Sequence, residues 1–269
     1  MNPSFDKQVS DCGISYYQHG NGPCLLLIHG VGLKAESWYR YIKPLSDHYN
    51  LIIVDLPGHG DSLPLTDNYE EATLDSYTHA ISHFLTNTIQ QSFYVCGHSL
   101  GSLIAIELAA KQDNKALGVA ALNAIHNRGD DAHHAVQARA KQLHESQIVI
   151  GVQQTIERWF GKNPTAELQT YASLCEHWLR NSNLNGYAMA YKIFADQRGP
   201  NTQTLKSIPC PSLYMTGDLD FNSSPKMTRA LADLSSNKSK SVIVENAGHM
   251  MPLTHTELVC RELLNFIRQ

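Results

Sequence analysis

The stretch from residue 93 to residue 108, Phe-Tyr-Val-Cys-Gly-His-Ser-Leu-Gly-Ser-Leu-Ile-Ala-Ile-Glu-Leu, decides the fold. An apolar run of four residues bounded by a glycine reads as a buried strand, and the Leu, Ile and Ala pattern from Leu100 onward reads as a buried helix. Between them Gly97-His98-Ser99-Leu100-Gly101 spells G-x-S-x-G. Small residues two positions either side of a serine let a sharp strand-to-helix turn close while the serine Oγ stands clear of it. The five letters alone recur in many loops. The strand before and the helix after make Ser99 a candidate nucleophile.

Working outward, apolar runs recur at CLLLIH (24–29), LIIVD (51–55), LGVAAL (117–122), SLYMTG (212–217) and SVIVE (241–245). Runs apolar on both faces suit parallel strands covered on both sides. Helical patterns fall between them at 37–47, 73–88, 100–111, 225–234 and 255–267, so the expected class is α/β with a mostly parallel sheet flanked by helices. The segment ISYYQHG (14–20) predicts an antiparallel strand feeding the first central one. From 123 to 199 the rhythm changes to four helical patterns with no convincing strand. We therefore expect a core of 1–122 and 200–269, with 123–199 as a helical cap inserted before the last two strands and lying over the strand ends.

The chain has 269 residues, 21 Lys+Arg and 25 Asp+Glu, for a formal net charge of −4. That balance, without a basic cluster, argues against nucleic-acid or membrane-surface partners. A 42% hydrophobic content is ordinary for a globular core. No run of about 18 apolar residues occurs, and MNPSFDKQVSDCG has neither a basic nor an apolar leader segment, which predicts a cytoplasmic protein. Six scattered cysteines without C-x-x-C pairing predict reduced, buried thiols. The 14 histidines invite a metal reading, but His79 and His83, and His133, His134 and His144, come without an HExxH or an accompanying carboxylate spacing, so solvated helix positions account for them and no metal site is expected. Gly30-x-Gly32 and Gly58-x-Gly60 are half of a dinucleotide fingerprint and lack its third glycine.

With these motifs the chain resembles the capped branch of the α/β-hydrolase fold, that of esterases and enol-lactonases, over nearly its whole length. The resemblance implies an oxyanion hole from the backbone N–H groups of Val31, in His29-Gly30-Val31-Gly32, and of Leu100 at the start of the helix. Asp55-Leu56-Pro57-Gly58-His59-Gly60-Asp61-Ser62 matches the family's D-x-P-G-x-G-x-S stretch and is read as scaffold. A serine nucleophile needs a base, and the base an orienting carboxylate. The family's order implies His249, in Asn246-Ala247-Gly248-His249, as that base. Gly217-Asp218-Leu219-Asp220 offers two carboxylates; the family's spacing, with Pro225 following, implies Asp220 as the acid and leaves Asp218 as a turn residue. The family's other acid position, after the strand before the insertion, is Asn123 here, and Met250-Met251-Pro252 departs from the family's usual acidic residue and proline, altering the wall beside the site.

The resemblance implies hydrolysis of a small-molecule carboxylic ester or lactone through an acyl-serine, with no cofactor, and sets no oligomeric state. The alternative within the fold is a hydrolase that cleaves C–C bonds of vinylogous diketo acids, although the extended Gly-rich oxyanion loop common in that branch is not found at 29–34. A cofactor-independent oxygenase and a ligand receptor on the same fold are the readings from other classes. Candidate substrate-lining residues in the insertion are His126, Trp159, Tyr187, Met189, Tyr191, Phe194 and Arg198, weighed against cap-core packing for the aromatic and Met positions and a solvated helix end for Arg198.

Overall fold

A computed structural model describes residues 6–111, 115–146, 148–235 and 238–268. Among these residues eight strands form one sheet: β1 (Gln8–Val9), β2 (Ser15–His19), β3 (Cys24–Ile28), β4 (Asn50–Val54), β5 (Phe93–His98), β6 (Ala116–Leu122), β7 (Ser212–Gly217) and β8 (Ser239–Val244). Their order is β1-β2-β4-β3-β5-β6-β7-β8, with β1–β2 and β2–β4 antiparallel and every other pair parallel. Of the apolar runs, β3, β4 and β7 are buried along their whole length, whereas β6 is open at its start and β8, at the sheet edge, is only partly covered. Alternate residues of β3 serve opposite faces: Leu26 and Ile28 enter one core cluster, Leu25 and Leu27 the other.

The helices are α1 (Ile42–Ser46), α2 (Leu74–Phe84), α3 (Leu100–Ala110), α4 (Asp130–Ser146), α5 (Val152–Phe160), α6 (Ala166–Arg180), α7 (Leu184–Asp196), α8 (Thr202–Ser207), α9 (Pro225–Leu234), α10 (Met251–Thr254) and α11 (Thr256–Ile267). Where the sequence pattern suggests one helix over 37–47, the chain makes a 3-10 segment at Ala35–Tyr41 and then α1. Pro44 has no N–H to give the carbonyl four residues back, so a continuous α-helix would lose a bond there. The helix expected over 73–88 is closed at its start by a Thr73–Ser76 capping box, widens to a π turn at Leu85–Ile89 and ends at Gln90, whose φ is 57°. β1 and α8 are too short to give a sequence pattern.

Between β6 and β7 the described residues form α4 to α7 and no strand. These helices pack mainly on one another and build a third apolar cluster around Trp178, Leu179, Tyr187 and Ile156, which Leu33, Met250 and Leu253 join from the loops after β3 and β8. Met250, the departure noted in the sequence, is thus a contact between the insertion and the loop that carries His249. No helix among the described residues is long and apolar enough to cross a membrane.

The D-x-P-G-x-G-x-S stretch ties the layers together behind this region. Buried Asp55 accepts the N–H groups of Ala35 (2.7 Å) and Asp61 (3.1 Å) and pairs with Lys7 (2.6 Å). The Ser62 hydroxyl donates to the Asp55 carbonyl (2.8 Å) and accepts the Ser15 N–H (2.8 Å).

Candidate active site

The sheet fixes where a site can form. β4 lies on one side of β3 and β5 on the other, so the chain leaves the carboxyl ends of β3 and β5 in opposite directions and opens a crevice between them. Ser99 follows β5 at that point, with φ 54° and ψ −116°, a conformation costly for a residue with a side chain. Glycine alone fits its surroundings: a Cβ on Gly97 would run into the Gly101 carbonyl, and one on Gly101 into the carbonyls of Ile28 and His29. Because Ile28 and Gly97 are in parallel register, the loop after β3 passes directly beside Ser99. α3 begins at Leu100, and its leading N–H groups have no acceptor within the helix.

The structure brings Ser99, His249 and Asp220 together. His249 Nε2 lies 3.2 Å from Ser99 Oγ, and its Nδ1–H donates to Asp220 Oδ2 at 2.8 Å. All three are buried. Asp220 Oδ1 accepts the N–H groups of Asn222 (2.8 Å) and Ser223 (3.2 Å), while Oδ2 also accepts from Asn123 Nδ2 (2.8 Å). Burial alone would raise the Asp220 pKa, but the neighbouring His249 and the hydrogen bonds from His249, Asn123 and Asn222 outweigh it and hold the carboxyl well below the usual carboxylate range. An ionised Asp220 fixes the proton of His249 on Nδ1 and leaves Nε2 free to accept one. Asp218 faces elsewhere and accepts the Ala247 N–H (3.2 Å), bracing the loop that leads to His249.

Two further histidines support this arrangement. His98 Nε2–H donates to the His249 carbonyl (2.9 Å), and burial, with His249 beside it, pulls its pKa down to about 3, so it stays neutral. His29, also drawn down to about 3 by burial and the adjacent His59, donates from Nδ1 to the Gly30 carbonyl and accepts the Leu56 N–H at Nε2 (2.9 Å). It holds the loop after β3 to the turn after β4.

A cavity of about 150 Å³ opens onto Ser99, His249 and Val31. Of the residues anticipated in the insertion, Trp159, Tyr187, Tyr191 and Phe194 line it, the Trp159 ring lying 6.1 Å from that of His249. His126, Met189 and Arg198 lie outside the lining. His126 packs under Gly199, Met189 is buried in the sheet-side cluster, and Arg198 turns outward to pair with Asp130 (2.8 Å) and donate to the Arg128 carbonyl (3.0 Å). The lining also includes Arg128, Arg158, Phe221, Asn222 and Met227, which sequence reasoning missed. Arg128 stands just before the first helical pattern of the insertion, in no motif. Its only signal was proximity to the carboxyl end of a strand.

The model of a family described as "Alpha/beta hydrolase family" matches residues 25–262. An Acinetobacter baylyi protein named (E)-2-((N-methylformamido)methylene)succinate hydrolase is 34% identical over 245 residues, 91% of this chain and 90% of that one. A pimeloyl-[acyl-carrier protein] methyl ester esterase of Stenotrophomonas maltophilia is 28% identical, over 92% of this chain and 94% of that one. Among solved structures, the enol-lactonase of Burkholderia xenovorans superposes with a TM-score of 0.81 at 19% identity, covering 95% of this chain and 96% of that one.

Proposed function

This chain belongs to the alpha/beta hydrolase family, and from that premise we propose that it is a serine hydrolase that cleaves a small carboxylic ester or lactone through an acyl-serine on Ser99. The observation that carries the reading is the unbroken relay from Ser99 Oγ through His249 to Asp220 at 3.2 and 2.8 Å, facing a cavity. In this mechanism His249 Nε2 takes the Ser99 proton as Oγ attacks the carbonyl carbon, and Asp220 stabilises the imidazolium that forms. The anionic oxygen of the tetrahedral intermediate is met by the N–H groups of Val31 and Leu100, the second aided by the helix dipole of α3. The intermediate collapses as His249 gives its proton to the leaving alkoxide. Water, deprotonated by the same nitrogen, then attacks the acyl-serine and returns Ser99 to its starting state. Helices α4 to α7 act as the cap that selects substrate.

The Acinetobacter baylyi relative supports a second reading, since the compound in its name carries a formamido group and no ester. Cleavage of an amide-type bond would use the same relay with a nitrogen leaving group.

A fluorophosphonate probe tests the nucleophile. The folded protein is expected to label with one equivalent, and Ser99→Ala, with an unchanged melting temperature, not to label. Equal labelling of both would refute the mechanism. A hydrolysis screen over aryl esters, lactones and amides then separates the two readings by turnover.

A further inference from the structure

Arg128, in the loop between β6 and α4, is only 6% exposed and lines the cavity that holds Ser99. Its Nη1 donates to the carbonyls of Phe194 (3.1 Å) and Gln197 (3.0 Å) at the C-terminal end of α7, and its guanidinium lies 4.4 Å from the Phe194 ring centroid. Those contacts fix one amino group of a fork that has five donors. Among the described residues no carboxylate comes within ion-pair distance of Arg128. Burial without a countercharge pulls its pKa down to about 10, still leaving it protonated at neutral pH. A buried cation without an anionic partner is a standing cost to the fold.

The surroundings add positive charge. Arg158, from α5, lines the same cavity from an exposed position and has no carboxylate partner among the described residues. Arg139 stands behind the wall, donating to the Thr155 hydroxyl (2.6 Å) and lying 5.7 Å from the Tyr191 ring centroid. Among the described residues the lining contains two arginines and neither Asp nor Glu. By contrast Arg180 and Arg198, also on the insertion and its exit, are paired with Glu176 and Asp130. Binding the end of α7 explains Nη1 of Arg128; it leaves the remaining donors, held at the wall of a cavity, unexplained.

We propose that Arg128, assisted by Arg158, is the anion-binding residue of this site, and that the compound hydrolysed carries a free carboxylate which completes the arginine's hydrogen bonding. The inference rests on the reading of this cavity as a hydrolase site. A planar carboxylate matches the guanidinium fork two bonds at a time, which gives orientation as well as affinity.

Two esters of equal length test it: the mono-4-nitrophenyl ester of adipic acid and the neutral 4-nitrophenyl hexanoate. The wild-type kcat/KM is expected to favour the acidic ester at least tenfold, mainly through KM. Arg128→Met is expected to cut the acidic-to-neutral ratio at least tenfold and Arg128→Lys to restore part of it, whereas a purely structural role lowers both esters in parallel. Equal wild-type values for the two esters, or a ratio untouched in a folded Arg128→Met, overturns the proposal. Calorimetric titration of monoethyl adipate and of neutral ethyl hexanoate into folded Ser99→Ala needs neither turnover nor an arginine variant. Saturable binding of the acidic ester alone supports the proposal, and its absence refutes it. If neither nitrophenyl ester is cleaved in a Ser99-dependent way, the ester reading fails, and the titration still decides whether the cavity binds a carboxylate.

Discussion

Asn123 follows the last residue of β6 with a φ of 53°, and its side chain is the link between two strands of the site. Its side-chain amide donates to Asp220 Oδ2 (2.8 Å) and to the Thr216 hydroxyl (3.2 Å), while its backbone carbonyl accepts from Ser223 Oγ (2.7 Å). A hydrogen bond to a charged group contributes about 1.5–3 kcal/mol. If Asp220 orients the base, Asn123→Ala is expected to lower kcat by about tenfold with little change in KM, and the nearly isosteric Asn123→Asp to lower it further by setting a second carboxylate against the first. Steady-state kinetics with melting curves decide; an unchanged kcat in either folded variant counts against a positioning role. Ser99 was legible because its strand, turn and helix are local in sequence, and the resemblance carried His249 and Asp220. The positions of Asn123 and Arg128 were not, because they depend on contacts with lateral neighbours: β7 for the first, the end of α7 for the second.

The insertion rests on the core through an unusually close backbone approach. A Cβ on Gly186, in the first turn of α7, would run into the Gly58 carbonyl, and one on Gly58 would stand 2.7 Å from Gly186 Cα. α7 carries Tyr187, Tyr191 and Phe194 to the cavity wall, and the Asn183 side chain accepts the Gly186 N–H (2.9 Å) to close its start. In an open helix Gly→Ala would stabilise by about 1 kcal/mol. Here the methyl must push α7 off the turn after β4, so Gly186→Ala is expected to destabilise by roughly 1–3 kcal/mol and to raise KM through the displaced aromatic wall. Urea unfolding and ester kinetics check both parts, and a more stable variant with unaltered KM would contradict the packing argument. Periodicity located all four insertion helices, because each has an apolar stripe against its neighbours. It could not locate the glycine contact, which carries no pattern, nor the change from 3-10 to α-helix at Tyr41–Ile42, just ahead of Pro44, whose missing N–H denies the Arg40 carbonyl its α-helical partner.

Taken as a whole, the molecule seals several uncharged histidines inside. Burial lowers the pKa of His29 and His98 to about 3 and lowers that of His59 as well. The unfolded chain takes up protons at His29 and His98 near pH 6.5, whereas the native state refuses them there until about pH 3. Their contribution to stability is therefore fully present above pH 6.5 and is lost as pH falls across that window. Each histidine contributes about 1.4 kcal/mol per pH unit, so two give about 3 kcal/mol per unit. Urea unfolding between pH 7.5 and 4.5 is expected to show that steep loss; a flat profile would mean the histidines are not sealed. At this scale the sheet, its antiparallel edge and the helical insertion were legible from the alternation of apolar runs and turns, but the cationic cavity inside a chain of net charge −4 was not, because composition averages over position. Five of the six free cysteines are buried and distributed by the same architecture, Cys24 and Cys210 in one sheet-face cluster, Cys96 and Cys260 in the other, and Cys175 in the cluster of the insertion; Cys12, expected to be buried with them, is only half-buried because it lies in the turn before β2. Each compartment of the protein thus holds its own shielded thiol. An alkylating reagent, resolved site by site, becomes a stopwatch that separates the loosening of the helical roof from the parting of either layer beneath it.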